Sequence, residues 1–206
     1  NDLHFQGELP TDQASIDSNP LPYYLAMVEA IDSEMGRLFS SISDEELANT
    51  TIIFIGDNGT PNQVVQQYNS NRAKGSLYKG GVNVPMIISG NLVNRFNQEE
   101  NALINTTDLF TTITEICGIN NQSLHDSKSF ISLLTSSFNS NARDYIYAEI
   151  GNQNYTIRNS THKYIHFENG NQFEFPNLLN ANQLPLSEIN NLNKNELVNK
   201  LEEIRN

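Results

Sequence analysis

The feature that most constrains this chain is a continuous apolar run of β-branched and aromatic residues, Thr50-Thr51-Ile52-Ile53-Phe54-Ile55. A strand with one solvated face alternates apolar and polar residues, whereas an unbroken apolar run is typical of a strand buried on both faces. The run stops at Gly56-Asp57-Asn58-Gly59, which is typical of a turn, and a second short run follows at Val84–Ser89. The sequence therefore predicts a sheet that is covered on both sides.

Amphipathic helices are predicted on either side of these strands. Apolar residues recur at helical spacing over about residues 20–42, after Asn19-Pro20, which offers a cap followed by proline in the first turn. Asn105-Thr106-Thr107-Asp108 is expected to cap a second helix that ends at Gly118. Helix, strand, loop, strand and helix in this order predict an α/β layer architecture.

The pattern changes from about residue 143. Short apolar segments separated by Gly, Asn and Ser turns predict an antiparallel meander. They are Tyr145–Ile150, Asn154–Arg158, Lys163–Phe167 and Gln172–Phe175. A short terminal helix is predicted over 193–205. We therefore expect an α/β portion over residues 1–142 and a small antiparallel-sheet subdomain over residues 143–206.

Charge limits the classes of partner. The 206 residues include 12 Lys and Arg but 24 Asp and Glu, which gives a formal net charge of −12. Such a chain repels nucleic acids and anionic membrane surfaces, so neither is an expected partner. No apolar run approaches the ~18 residues that a membrane-spanning helix needs. An anion site on this chain would need local cations or a metal to overcome the average charge.

Two stretches could carry chemistry. Asp57 and Asn58 follow the first predicted strand, and ligands bind at the carboxyl ends of strands in open α/β sheets. Their oxygen atoms suit a hard cation such as Ca²⁺ or Mg²⁺. The second stretch, Arg72–Pro85, places Lys74 and Lys79 in a glycine-rich loop, where lysine can offer a point charge to an anion. Taken one at a time, the alternatives are a plain Asn-Gly turn and a solvated basic loop.

The order of these motifs resembles the second half of the type I sulfatases of the alkaline-phosphatase superfamily. The resemblance covers most of the chain and is carried by Tyr23–Asp32, Asp57-Asn58-Gly59, Lys74–Pro85, Thr107–Ile113, Ile157-Arg158 and Lys163-Tyr164-Ile165. It implies part of an alkaline-phosphatase-like mixed sheet flanked by helices, followed by a small antiparallel sheet and a terminal helix.

The resemblance also implies roles for particular residues. Asp57 and Asn58 would be two ligands of a divalent cation, usually Ca²⁺, with Mg²⁺ as an alternative. Lys74 would contact the sulfate or its leaving-group oxygen and so serve both catalysis and substrate binding. Lys79 occupies a position where the family varies and is often acidic, so the resemblance gives it no catalytic role.

The nucleophile of the family is a formylglycine made from Cys or Ser in a Cys/Ser-x-Pro/Ala-x-Arg motif. Cys117 is followed by Gly118-Ile119-Asn120-Asn121, which lacks both the Pro and the Arg, and Ser18-Asn19-Pro20-Leu21-Pro22 lacks the Arg. We therefore expect the formylglycine in an N-terminal part outside these residues, and we expect the 206 residues alone to be inactive.

The function expected is hydrolysis of a sulfate ester by a longer chain, with the missing N-terminal part of the same protein as a partner. The alternative is a non-catalytic module, derived from the sulfatase fold, that binds an anion or a partner protein. The resemblance implies a periplasmic, secreted or lysosomal location, which the residues themselves do not reveal.

Overall fold

A computed structural model describes residues 9–66, 69–119, 125–135, 143–169, 172–175 and 191–205. The chain divides into two compact units, Asn1–Asn91 and Leu92–Asn206. The predicted meander lies inside the second unit, while the predicted boundary between residues 142 and 143 stays a prediction.

Helices make up much of the first unit. They are α1 (Gln13–Ser18), α2 (Pro20–Ser40), α3 (Asp44–Ala48) and α4 (Lys79–Val82). The helix predicted over about 20–42 is thus confirmed as α2, with Pro20 in its first turn, but the Asn19 side chain makes no capping hydrogen bond. Proline is favourable there because its missing N–H would have no partner within the helix. Among all described helices, none combines the length and the apolar character needed to cross a membrane.

The sheet of the first unit has two strands, β1 (Thr51–Ile55) and β2 (Met86–Gly90), which pair antiparallel with Ile53 opposite Ile88. All five residues of β1 are half-buried, and Ile87 of β2 is 63% exposed. The prediction that these strands are buried on both faces is therefore wrong for the described part of this unit. The physical reason is that a strand pair is buried on both faces only where other elements pack on each face, and the exposed Ile87 shows that one face of β2 is left open by the described residues.

The second unit contains the helices α5 (Asp108–Ile116), α6 (Ile131–Thr135) and α7 (Asn191–Arg205). Its strands are β3 (Ile146–Ile150), β4 (Asn154–Arg158), β5 (Lys163–His166) and β6 (Gln172–Phe175). They pair antiparallel in chain order, which confirms the predicted meander. The core forms where Leu197 and Leu201 of α7 pack against Ile157 and Tyr164 of the sheet.

The start of α5 differs from the predicted cap. Thr107 occupies the capping position without a side-chain hydrogen bond. The carboxylate of Asp108, which is fully buried, instead accepts hydrogen bonds from the backbone N–H groups of Asn105 (2.7 Å) and Lys128 (2.8 Å). It also forms an ion pair with Arg143, which is only 8% exposed. A polar sequence that resembles a helix cap is here the centre of a buried polar network.

Candidate functional site

The two predicted metal ligands lie in the turn that follows β1. Asp57 and Asn58 are both exposed, and the amide of Asn58 donates a hydrogen bond to the carboxylate of Asp57. The turn begins where the Gly56 N–H donates to the Pro85 carbonyl (2.9 Å), immediately before β2. The strand pair therefore holds the turn at one end of the sheet, with both oxygen-bearing side chains together and open to solvent.

The loop that carries Lys74 is folded compactly on itself. The backbone N–H and the hydroxyl of Ser76 both donate to the Ala73 carbonyl, at 3.1 and 2.7 Å. The Arg72 guanidinium lies over the Tyr78 ring, 4.8 Å from its centroid. These contacts close the loop and leave Lys74 exposed.

The turn and the loop are in direct contact within the first unit. The Lys74 N–H donates to the carbonyl of Thr60, three residues after Asp57, at 2.9 Å. Gly59 is buried, and a methyl group in place of its hydrogen would overlap the Gly80 carbonyl and lie 2.7 Å from the Gly81 Cα. Only a residue without a side chain allows two backbones to approach so closely. The backbones that carry Asp57, Asn58 and Lys74 are therefore fixed next to one another.

Gly81 provides a test of this packing. An alanine methyl group there would overlap the Ser76 carbonyl and lie 2.7 Å from the Ala73 carbonyl. We expect Gly81→Ala to lower the free energy of unfolding by about 1–3 kcal/mol, the usual cost of overpacking. Urea denaturation of the chain measures this effect. Gly36→Ala is the matched control, since nothing lies within 4 Å of its added methyl group. Replacing glycine inside a helix should stabilise by about 0.5–1 kcal/mol. Equal stability of the two variants would contradict the packing described above.

Positive charge is concentrated at the loop. Arg72, Lys74 and Lys79 fall within eight consecutive residues of a chain whose net charge is −12. In the part of the chain that the structure describes, none of the three forms an ion pair. Four other arginines, Arg37, Arg95, Arg143 and Arg205, do bind carboxylates. The loop therefore keeps cationic groups available to an external anion.

The chemistry of the turn fits a hard divalent cation, although two residues do not complete a site. Asp57 offers carboxylate oxygens and Asn58 an amide oxygen, and both are among the ligands that Ca²⁺ takes in proteins. Calcium needs about six to eight oxygen ligands. Within the described ranges, no group of three or more His, Cys, Asp or Glu side chains comes together as a metal site. The donor set agrees with the predicted cation in kind, and the further ligands would have to be other groups.

The sequence profile of the Sulfatase family matches residues 3–119, which is more than half of the chain. This chain belongs to the sulfatase family. Members of this family hydrolyse sulfuric esters, so the match supports a hydrolase at the level of the family. The matched segment contains the Asp57-Asn58 turn and the whole Lys74 loop.

Curated relatives and solved structures agree with this assignment. A "Sulfatase" of Formosa agariphila is 21% identical over 96% of this chain and 38% of its own length. An "Arylsulfatase K" of Xenopus laevis is 28% identical over 58% of this chain and 22% of its own length. The structure of BT4656, solved with its substrate D-glucosamine-2-N,6-O-disulfate, matches with a TM-score of 0.68 and 23% identity. The match covers 97% of this chain and 43% of BT4656.

These likenesses confirm the predicted α/β fold of the alkaline-phosphatase type. They also show that this sulfatase chain spans less than half the length of the relatives it matches. The roles of Asp57, Asn58 and Lys74 stay predictions. Sequence reasoning missed the stacking of Arg72 on Tyr78, because residues in a loop have no regular period that indicates which side chains meet.

A separate cleft of about 310 Å³ lies in the second unit of the sulfatase chain, between the meander and α7. The ring of Tyr155 has the His166 ring stacked on it (centroids 4.5 Å apart), and the Arg205 guanidinium lies 4.0 Å from its centroid. Asp57, Asn58 and Lys74 are not among the residues that line this cleft, so it is not the site that the sequence predicts.

Proposed function

We propose that this chain forms part of a sulfatase and that the sulfate ester is hydrolysed at the Asp57-Asn58 turn and the Lys74 loop. The observation that carries the proposal is the hydrogen bond from the Lys74 N–H to the Thr60 carbonyl (2.9 Å), together with the close packing of Gly59 on Gly80 and Gly81. These contacts hold the backbone of Lys74 against the segment that carries Asp57 and Asn58, and the family profile matches the chain across both.

Lys74 supplies positive charge to the ester. When the S–O bond breaks, negative charge develops on the oxygen of the leaving alcohol, and a cation already in place lowers the energy of that transition state. The side chain of Lys74 is exposed and has no ion pair within the described ranges, so its charge is not already neutralised by a carboxylate. The backbone hydrogen bond to Thr60 holds the Lys74 backbone, from which the side chain extends, beside the turn.

Asp57 and Asn58 would hold the divalent cation, Ca²⁺ by family resemblance and Mg²⁺ as the alternative. When bound, such a cation polarises the sulfate oxygens and attracts the anionic ester despite the net charge of −12. Asp57 and Asn58 contribute by presenting oxygen atoms on one short turn. The remaining ligands, and the formylglycine nucleophile, would be supplied by the N-terminal part of a longer chain.

Exposed apolar surface supports such a partner. On α2, Met27, Ile31 and Leu38 are 64%, 50% and 50% exposed, and Ile87 on β2 is 63% exposed. Met27, Ile31 and Leu38 recur at helical spacing on one face of α2, and exposed apolar surface of this kind usually contacts another protein surface. The remainder of a sulfatase fold, which is more than half the length of the relatives, would cover it. The periplasmic, secreted or lysosomal location stays a prediction.

Turnover of 4-nitrophenyl sulfate by the full-length gene product that contains residues 1–206 tests the proposal. We expect activity that a chelator removes and Ca²⁺ restores, because the cation neutralises charge on the sulfate. We expect no turnover by the 206 residues alone, since they lack the nucleophile motif. A full-length product that binds sulfate without turning over any aryl sulfate would instead support the non-catalytic module.

A further inference from the structure

The loop carries more positive charge than one sulfate ester requires. A sulfate monoester has a single negative charge, which Lys74 alone could balance. Lys79 is also exposed and, within the described residues, has no ion pair. The chain has twice as many acidic as basic residues, 24 against 12, so a second lysine close to the same turn makes this segment locally more favourable to an anion than the average charge would allow.

The backbone brings Lys79 to the same turn as Lys74, from the other end of the loop. Lys79 is the first residue of α4 and precedes Gly80, whose carbonyl packs against Gly59. Lys74 reaches the turn through its own hydrogen bond to Thr60. The backbone of Lys74 contacts the segment that carries Asp57 and Asn58, and the backbone of Lys79 lies one residue from such a contact. Each lysine has a flexible four-carbon side chain.

Arg72, the third cation of the loop, is in a different situation. Its guanidinium is stacked on the Tyr78 ring and is half-buried. Tyr78 is the residue immediately before Lys79, so this stacking fixes the backbone from which the Lys79 side chain extends. Lys79 is consequently the cation with both the freedom and the position to meet a second anionic group.

We propose that Lys79 binds a second negative group on the substrate, a sulfate or a carboxylate that lies near the ester held by Lys74. This inference rests on the proposed sulfatase function and names the substrate class of that site: a sulfate ester with at least two negative charges. Lys79 contributes to binding and specificity, whereas Lys74 stabilises the negative charge that develops on the leaving oxygen.

Competition experiments on the full-length gene product test this inference. The inhibition constants of matched sugars are measured against 4-nitrophenyl sulfate turnover. One pair compares a glucose monosulfate with a glucose disulfate, and the other compares a glucose monosulfate with a glucuronic acid monosulfate. One added charge-assisted contact should make the doubly charged sugar of at least one pair bind about tenfold more tightly.

Lys79→Gln should remove most of this preference, while Lys128→Gln should keep it. Lys128 is the matched control because it is also exposed and lacks an ion pair among the described residues. A preference for the disulfate identifies a second sulfate, and one for the uronic acid identifies a carboxylate. A wild-type preference near one, or an unchanged preference in Lys79→Gln, overturns the inference but leaves the proposed function standing. Absence of any aryl-sulfate turnover overturns both.

Discussion

Lys74→Ala in the full-length gene product is expected to lower kcat/KM for 4-nitrophenyl sulfate by about 10²–10³-fold, the effect of removing one group that stabilises transition-state charge. Lys74 is exposed, and the loop that carries it is joined to the Asp57 turn by a backbone hydrogen bond. Its charge can therefore meet the oxygen released as the S–O bond breaks. Steady-state kinetics at saturating Ca²⁺ measure the loss.

A series of aryl sulfates with different leaving groups separates this role from simple binding. If Lys74 stabilises the leaving oxygen, the loss in Lys74→Ala should grow as the leaving alcohol becomes a weaker acid, because more charge then remains on the oxygen. If instead KM rises by the same factor for every leaving group while kcat is unchanged, Lys74 only binds the sulfate, equally in the ground state and the transition state. Lys128→Ala serves as the control and should retain wild-type kinetics. Undiminished activity of Lys74→Ala would remove this lysine from the mechanism.

Local pattern was sufficient to predict most elements of this sulfatase chain. The apolar stripe of α2 and the alternation of strands and turns in β3–β6 are encoded in neighbouring residues, so periodicity finds them. The burial of β1 was overestimated. A continuous apolar run indicates that both faces of a strand would be stabilised by burial, but the burial itself depends on which other elements pack against those faces. The 63% exposure of Ile87 on the paired strand marks surface that the described residues do not cover.

The candidate site could be predicted in outline for a different reason. Asp57, Asn58 and Lys74 were identified through the order of motifs, which reflects family resemblance. The contacts that join the turn to the loop, such as Lys74 to Thr60, connect residues 14 positions apart. Loops have no period, so no sequence rule specifies such pairs.

Lys163 shows the same limit in the second unit. The pattern places it on a strand, and the structure confirms this as part of β5. Lys163 is only 4% exposed, and burial, followed by the nearby charge of Arg158, lowers the pKa of its amine to about 7. Strand alternation cannot distinguish a buried lysine from a solvated one, because depth depends on elements distant in the chain.

The buried ion pair between Asp108 and Arg143 leads to the largest stability effect that we expect. Nε of Arg143 lies 3.0 and 2.8 Å from the two carboxylate oxygens of Asp108, which is fully buried. Asp108→Ala would leave the Arg143 charge buried and without its principal partner, because the other carboxylate nearby, Asp126, lies 3.7 Å away and is 75% exposed. Breaking a buried pair from one side typically costs about 3–5 kcal/mol.

Urea denaturation of the chain, followed by circular dichroism, measures this cost. Glu34→Ala is the control, because its ion pair with Arg37 is exposed on both sides and should change stability by less than about 1 kcal/mol. Asp108→Asn keeps some hydrogen bonds and should fall between the two. If Asp108→Ala were no less stable than Glu34→Ala, the buried pair would not stabilise this unit.

The same pair predicts how stability depends on pH. Burial raises the pKa of Asp108, but the hydrogen bonds from Arg143, Asn105 and Lys128 outweigh it and hold the pKa below the ordinary value of 3.8. A carboxyl group whose pKa is lower in the folded state stabilises that state above its unfolded pKa, and this contribution is lost as the pH falls through the folded value. The wild-type chain should therefore lose stability below about pH 4 more steeply than Asp108→Asn, which has no proton to gain at that position. Parallel pH profiles for the two proteins would show that the pKa of Asp108 is the same in the folded and unfolded states, and the account of Arg143 as the partner that lowers this pKa would then be wrong.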